Sequence, residues 1–229
     1  MARTLEASFT GYNSGLQIAH NSGLLNANFF YSGTGDESSY DKSRIESFKE
    51  GLLKDAYSWV LDHDDFNEWL YKDHFQLLWI KGDPGKGKTM LLCGIIDELT
   101  KTVHDTSTIA SFFCQTTDAR INNATSVMRS LISMLVERRP ALISHVRREY
   151  DKSGKQLFED VNAWQALSNI FMDMLEDPPL KSTYLIIDAL DECETDRSKL
   201  LNLITHCTSK AHVKWLISGR NRIDIEGGF

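Results

Sequence analysis

Gly82-Asp83-Pro84-Gly85-Lys86-Gly87-Lys88-Thr89 fits the spacing G-x-x-x-x-G-K-[ST] without a gap. Each residue type has a physical task in such a loop. Glycines take backbone angles, and allow a close approach, that a Cβ would forbid. The backbone N–H groups can then converge on phosphate oxygens at the start of a helix, where the dipole favours negative charge. Lys88 is placed to neutralise β and γ phosphates, and the Thr89 hydroxyl to ligate Mg²⁺. With Met90 behind them, residues Gly82 to Met90 form the nucleotide-binding set. A chance match of this pattern is expected in roughly 1% of chains this long at average residue usage.

The flanks agree. Phe75-Gln-Leu-Leu-Trp-Ile-Lys81 reads as a buried strand ending at the first glycine, and Met90 to Leu99 continues as a helix. Further strands are expected over Thr108 to Cys114, Tyr184 to Asp188 and Val213 to Ser218. Helices are expected over Ser43 to Leu61, Ala124 to Glu137, and around Trp164 to Met174 before Pro178-Pro179. Strands alternating with helices predict a three-layer α/β fold, a parallel sheet with helices on both faces. This domain is expected over residues 41–229.

The strand Tyr184-Leu-Ile-Ile-Asp188 runs into Ala189-Leu190-Asp191-Glu192. A buried parallel strand ending at Asp188 delivers a carboxylate to the sheet edge where α/β proteins bind ligands. Asp188 is therefore the second candidate Mg²⁺ partner beside Thr89. Asp191 or Glu192 could orient or deprotonate an attacking water. The alternative is a strand followed by an acidic, solvated turn. Trp215-Leu-Ile-Ser218-Gly-Arg220 brings a polar residue and a cation to the same edge. Arg220 could sense a γ-phosphate, with Arg222 competing for that role or a plain surface arginine as the alternative.

Composition narrows the partners. The 229-residue chain carries a formal charge of −7, which argues against binding nucleic acid through its phosphate backbone. No apolar run approaches the ~18 residues that span a bilayer. The N-terminus has no secretory core either, so a cytoplasmic protein without membrane insertion is expected. Four scattered cysteines, with no C-x-x-C pair, read as free and mostly buried thiols rather than a disulfide frame or zinc site.

Together the phosphate loop, the acidic strand and the Arg220 strand resemble the NACHT class of signal-transducing P-loop NTPases. The stretches Gly51 to Leu61, Leu78 to Met90, Phe112 to Gln115 and Arg129 to Ile132 are similar to fungal NOD-like receptors. The resemblance runs over about Arg44 to Ile225. It implies a switch that is inactive with a nucleoside diphosphate and self-associates when opened by a triphosphate. ATP stands ahead of GTP because no N-K-x-D guanine motif occurs. The rival reading is an ATPase or kinase valued for its turnover. In such receptors a helical region, a winged helix and sensor repeats follow this module. The chain ends at Phe229 without a fifth strand after Arg220, so a fragment or truncated form is expected.

Residues 1–40 form a Gly-, Ser- and Asn-rich leader without lysine. Asn-Ser-Gly-Leu occurs twice, at Asn13 and Asn21, around short β-prone pieces that could stack in register with copies of themselves. Composition by itself reads as a disordered polar tail. Residues 9–30, however, resemble the HET-s-type amyloid motif found ahead of fungal NACHT domains. That resemblance implies a pore-forming effector, carrying a matching motif, as the partner.

Overall fold

A computed structural model of the chain describes residues 2–6, 57–104, 106–117, 121–153, 163–178, 180–222 and 225. Strand β1 is Ala2–Glu6. After α1 (Ser58–Leu61) and α2 (Asp64–Tyr71) comes β2 (Leu77–Lys81), then α3 (Lys88–Thr102) and β3 (Thr108–Phe113). Helices α4 (Ala124–Arg138), α5 (Ile143–Ser153) and α6 (Ala163–Leu175) lead to β4 (Thr183–Asp188). The 3₁₀ turns Pro140–Leu142 and Leu190–Glu192 precede α5 and α7 (Arg197–Cys207) respectively, and β5 (Val213–Gly219) follows.

The five strands form one sheet in the order β1-β2-β5-β4-β3. Every pairing is parallel. Such ladders need crossover connections, and helices on the two faces supply them. Along β2 the side chains alternate. Leu77 and Trp79 join one core with α4, α6 and α7, whereas Leu78 and Ile80 join the other with α1, α2 and α3. Strands buried on both faces explain the near-continuous apolar runs in the sequence. The expected three-layer α/β architecture is the one observed.

Boundaries fell within a few residues of expectation. Helix α3 begins two residues earlier than its apolar periodicity suggests, at Lys88, because the loop itself supplies the first turn. Asn123 caps α4 by accepting the Ser126 N–H at 2.9 Å, which fixes its start. Of the helix expected over Ser43 to Leu61, only its last turn lies within the described residues. Gly94 lets α1 approach α3, since a Cβ there would lie 2.3 Å from the Tyr57 ring.

Ala2–Glu6, at the start of the expected leader, pair with β2 from Ala2↔Leu77 to Glu6↔Lys81. A composition argument weighs side chains that can fill a core. A strand added at a sheet edge is held largely by backbone hydrogen bonds, which composition does not report. The sheet's fifth strand therefore comes from before the phosphate loop. The amyloid-like stretch at 9–30 lies outside the described residues.

Candidate functional site

The carboxyl ends of β2, β5 and β4 lie side by side in the sheet. Gly82 leaves β2 and donates its N–H to the Gly219 carbonyl at 3.2 Å, tying the loop to β5. Asp83, Pro84, Gly85 and Lys86 are exposed, and Gly87 caps α3. Gly85 and Gly87 adopt φ of +72° and +74°, the left-handed region that favours glycine. A Cβ on either would touch no protein atom within 4 Å. Backbone angle, not internal crowding, therefore requires glycine at both positions.

Lys88, Thr89 and Met90 occupy the first turn of α3. The Lys88 amine donates to the carbonyls of Gly82 at 2.6 Å and Asp83 at 2.9 Å, spanning its own loop. Desolvation lowers its pKa, against the pull of Asp191, Asp188 and Asp83. A half-buried ammonium in that position gains from an incoming anion.

Thr89 of α3 and Asp188 of β4 meet. The Thr89 hydroxyl donates to Asp188 Oδ2 at 2.6 Å. The other carboxylate oxygen accepts the Ser218 hydroxyl, and Ser218 Oγ in turn accepts the Ala189 N–H at 3.0 Å. Ala189 sits at φ +52°, so the chain turns sharply as β4 ends. Asp188 is 3% exposed. Desolvation raises its pKa although Ser218, Thr89 and Lys88 all favour the charged form. A buried carboxylate beside a hydroxyl is a hard-oxygen donor pair suited to Mg²⁺.

The acidic turn is held from three directions. Asp191 receives the Arg220 N–H on Oδ1 at 3.0 Å and faces Arg220 Nε from Oδ2 at 3.0 Å. Glu192 accepts the Thr116 N–H at 3.0 Å, with Arg220 Nη2 4.0 Å from its other oxygen. Arg197 donates to the carbonyls of Asp191 at 3.0 Å and Cys193 at 3.2 Å. The solvated-turn alternative fits Glu192 better than Asp191, which is buried. Arg222 lies two residues beyond Arg220 and is exposed.

Two residues escaped the sequence reading. Ser218 was visible only as a polar residue at the end of a strand, with nothing to reveal Asp188 as its partner. Arg197 sits in Asp196-Arg197-Ser198-Lys199, which reads as an ordinary charged helix start. Among the described residues, no group of three His, Cys, Asp or Glu could hold a metal, and no helix is long and apolar enough to cross a membrane. All four cysteines are free, three of them buried and Cys93 half-buried.

Comparison with known proteins adds a family. The nephrocystin 3, N-terminal model matches residues 55–220. Vegetative incompatibility protein HET-E-1 of Podospora anserina is 59% identical over 189 residues. That alignment covers 82% of this chain but 14% of the relative, so the chain spans a small part of the curated protein it matches. No solved structure matches. The fungal incompatibility relative agrees with the resemblance to fungal receptors, while the family match begins beyond the leader. Because that match takes in every element from α1 to Arg220, the chain belongs to the nephrocystin 3, N-terminal family.

Proposed function

We propose that the protein is a nucleotide-operated signalling switch, binding ATP or GTP with Mg²⁺ and self-associating when the triphosphate is bound. The observation that carries this reading is the 2.6 Å contact between Thr89 of the loop helix and the buried Asp188 of a different strand. Two hard-oxygen groups, from segments far apart in sequence, converge beside a loop built for phosphates. In this reading the loop N–H groups and Lys88 bind the phosphate chain, and Thr89 and Asp188 hold the metal. Mg²⁺ supplies charge neutralisation at the phosphates. Glu192, at the edge of the site, orients a water and takes its proton.

The similarity to an incompatibility protein favours control over turnover. A switch holds its nucleotide and hydrolyses it slowly. Protein purified without added nucleotide is expected to carry one, identified by chromatography after acid release. Single-turnover hydrolysis should be well below the ~1–10³ s⁻¹ typical of enzymes. Rates within that range would favour the ATPase or kinase reading instead.

The leader would be the output, templating amyloid assembly of a pore-forming effector with a matching motif. A peptide of residues 4–31 should then form fibrils with the ~4.7 Å and ~10 Å cross-β spacings. Ile18→Asp should abolish them by stacking an identical buried charge at every rung. A peptide that stays unstructured for days at high concentration, or an Ile18→Asp form that assembles like the parent, removes this output.

A further inference from the structure

Asp191 is an unusual acid for a site that binds phosphates. Its side chain is 4% exposed, whereas that of its partner Arg220 is 51% exposed. Both carboxylate oxygens are engaged by one residue, Oδ1 with the Arg220 backbone N–H and Oδ2 with its guanidinium, each at 3.0 Å. Gly219 makes room for this grip, since a Cβ there would come within 3.3 Å of Asp191 Oδ1. Arg197 donates to the Asp191 backbone carbonyl at 3.0 Å, which braces the turn that carries the carboxylate. Asp191 also attracts Lys88 across the site, where Arg220 repels it.

We propose that Asp191 is a positioning residue that holds Arg220 in reserve, a built-in anion that the outer phosphate of a nucleoside triphosphate must displace. This rests on the nucleotide reading of the phosphate loop. A ligand shifts a two-state element only by its differential interaction with the two states. The γ-phosphate offers Arg220 a second anionic partner; a diphosphate has no group at that position. Parting the pair leaves a buried carboxylate uncompensated, a penalty that sets the threshold for release. The exchange of Arg220 from Asp191 to phosphate is then what distinguishes triphosphate from diphosphate.

The test is calorimetry with a non-hydrolysable ATP analogue and with ADP, each with Mg²⁺. Asp191→Asn removes the competing charge, so triphosphate should bind at least fivefold more tightly, with ADP affinity changing less than twofold. A residue serving only the fold, or serving only as a base for water, would give no such gain. The gain should vanish when Arg220→Gln is added, the double variant binding triphosphate as Arg220→Gln alone does. Unchanged or weaker triphosphate binding by a folded Asp191→Asn overturns the proposal, as does a gain that survives Arg220→Gln. Should Asp191→Asn not fold, Gly219→Ala carries the test. Its methyl group would stand 3.3 Å from Asp191 Oδ1, so the carboxylate must shift by a few tenths of an ångström and its bond to the Arg220 N–H weakens with both charges kept; triphosphate binding must tighten or the proposal falls. If the unaltered protein binds neither nucleotide, the phosphate-loop reading fails and takes this inference with it; if it binds both, the variants judge the inference alone.

Discussion

Lys88→Ala is expected to lower affinity for Mg²⁺-triphosphate at least tenfold, about 1.4 kcal/mol. The amine now donates to the carbonyls of Gly82 and Asp83, with desolvation working against its charge. Phosphate oxygens offer the same donor stronger, charge-assisted partners. Alanine removes that gain along with the brace across the loop. The loss should be larger for a triphosphate than for a monophosphate, because the charge is aimed at the outer phosphates. Calorimetry on a variant shown to be folded by circular dichroism checks the result. Unchanged affinity would refute the assignment of the loop.

Asp188→Asn should separate stability from function. Asp188 has a raised pKa, chiefly from desolvation, so folding favours its protonated form. The sign follows from linkage. A carboxyl with a folded pKa above its unfolded value, about 4, adds stability below that value and loses it as pH rises through the folded pKa. At neutral pH the ionised group is therefore a cost to the fold. Asparagine keeps the shape and can still accept from Ser218, while its amide donates to Thr89 once that hydroxyl rotates. The variant should melt above the parent at pH 7 to 8, and the difference should shrink as pH falls toward ~4. The Mg²⁺-dependent part of triphosphate binding should meanwhile drop tenfold or more, since a neutral amide is a poor ligand for a hard cation. Thermal melts across pH, paired with titrations with and without Mg²⁺, read both effects. A variant that loses stability and keeps Mg²⁺ dependence would show that Asp188 serves only the fold.

The parts of this site legible in sequence are those written contiguously. The phosphate loop is eight adjacent residues, with an apolar strand before it and an apolar-faced helix after it. Asp188 was legible because one acid ends four apolar residues, a pattern that marks the carboxyl end of a buried strand. Helix starts were less legible. The periodicity behind α3 cannot see Lys88 and Thr89, whose helical geometry is set by Gly87 in the left-handed region. Ala2–Glu6 carries little periodic signal, so composition placed it with the leader, although β2 had an open edge for it.

The amino-acid sequence by itself determined the α/β class, the glycine-rich loop from Gly82 to Thr89 between a strand and a helix, and the strand that carries Asp188. Each of these is decided by neighbours in the chain, through glycine backbone angles and through the burial of apolar runs. Only the tertiary structure decided the strand order, with β5 between the loop strand and the acidic strand. It also decided that Ser218 holds Asp188, that Arg197 holds the acidic turn and that Arg220 grips Asp191. Arg220 and Asp191 stand 29 positions apart, and Thr116 and Glu192 stand 76 apart. Such pairs form because parallel strands, brought together by crossover helices, end at one edge of one sheet. Nothing local to either partner states which distant polar group will arrive beside it, since that follows from how the two cores close over the whole sheet.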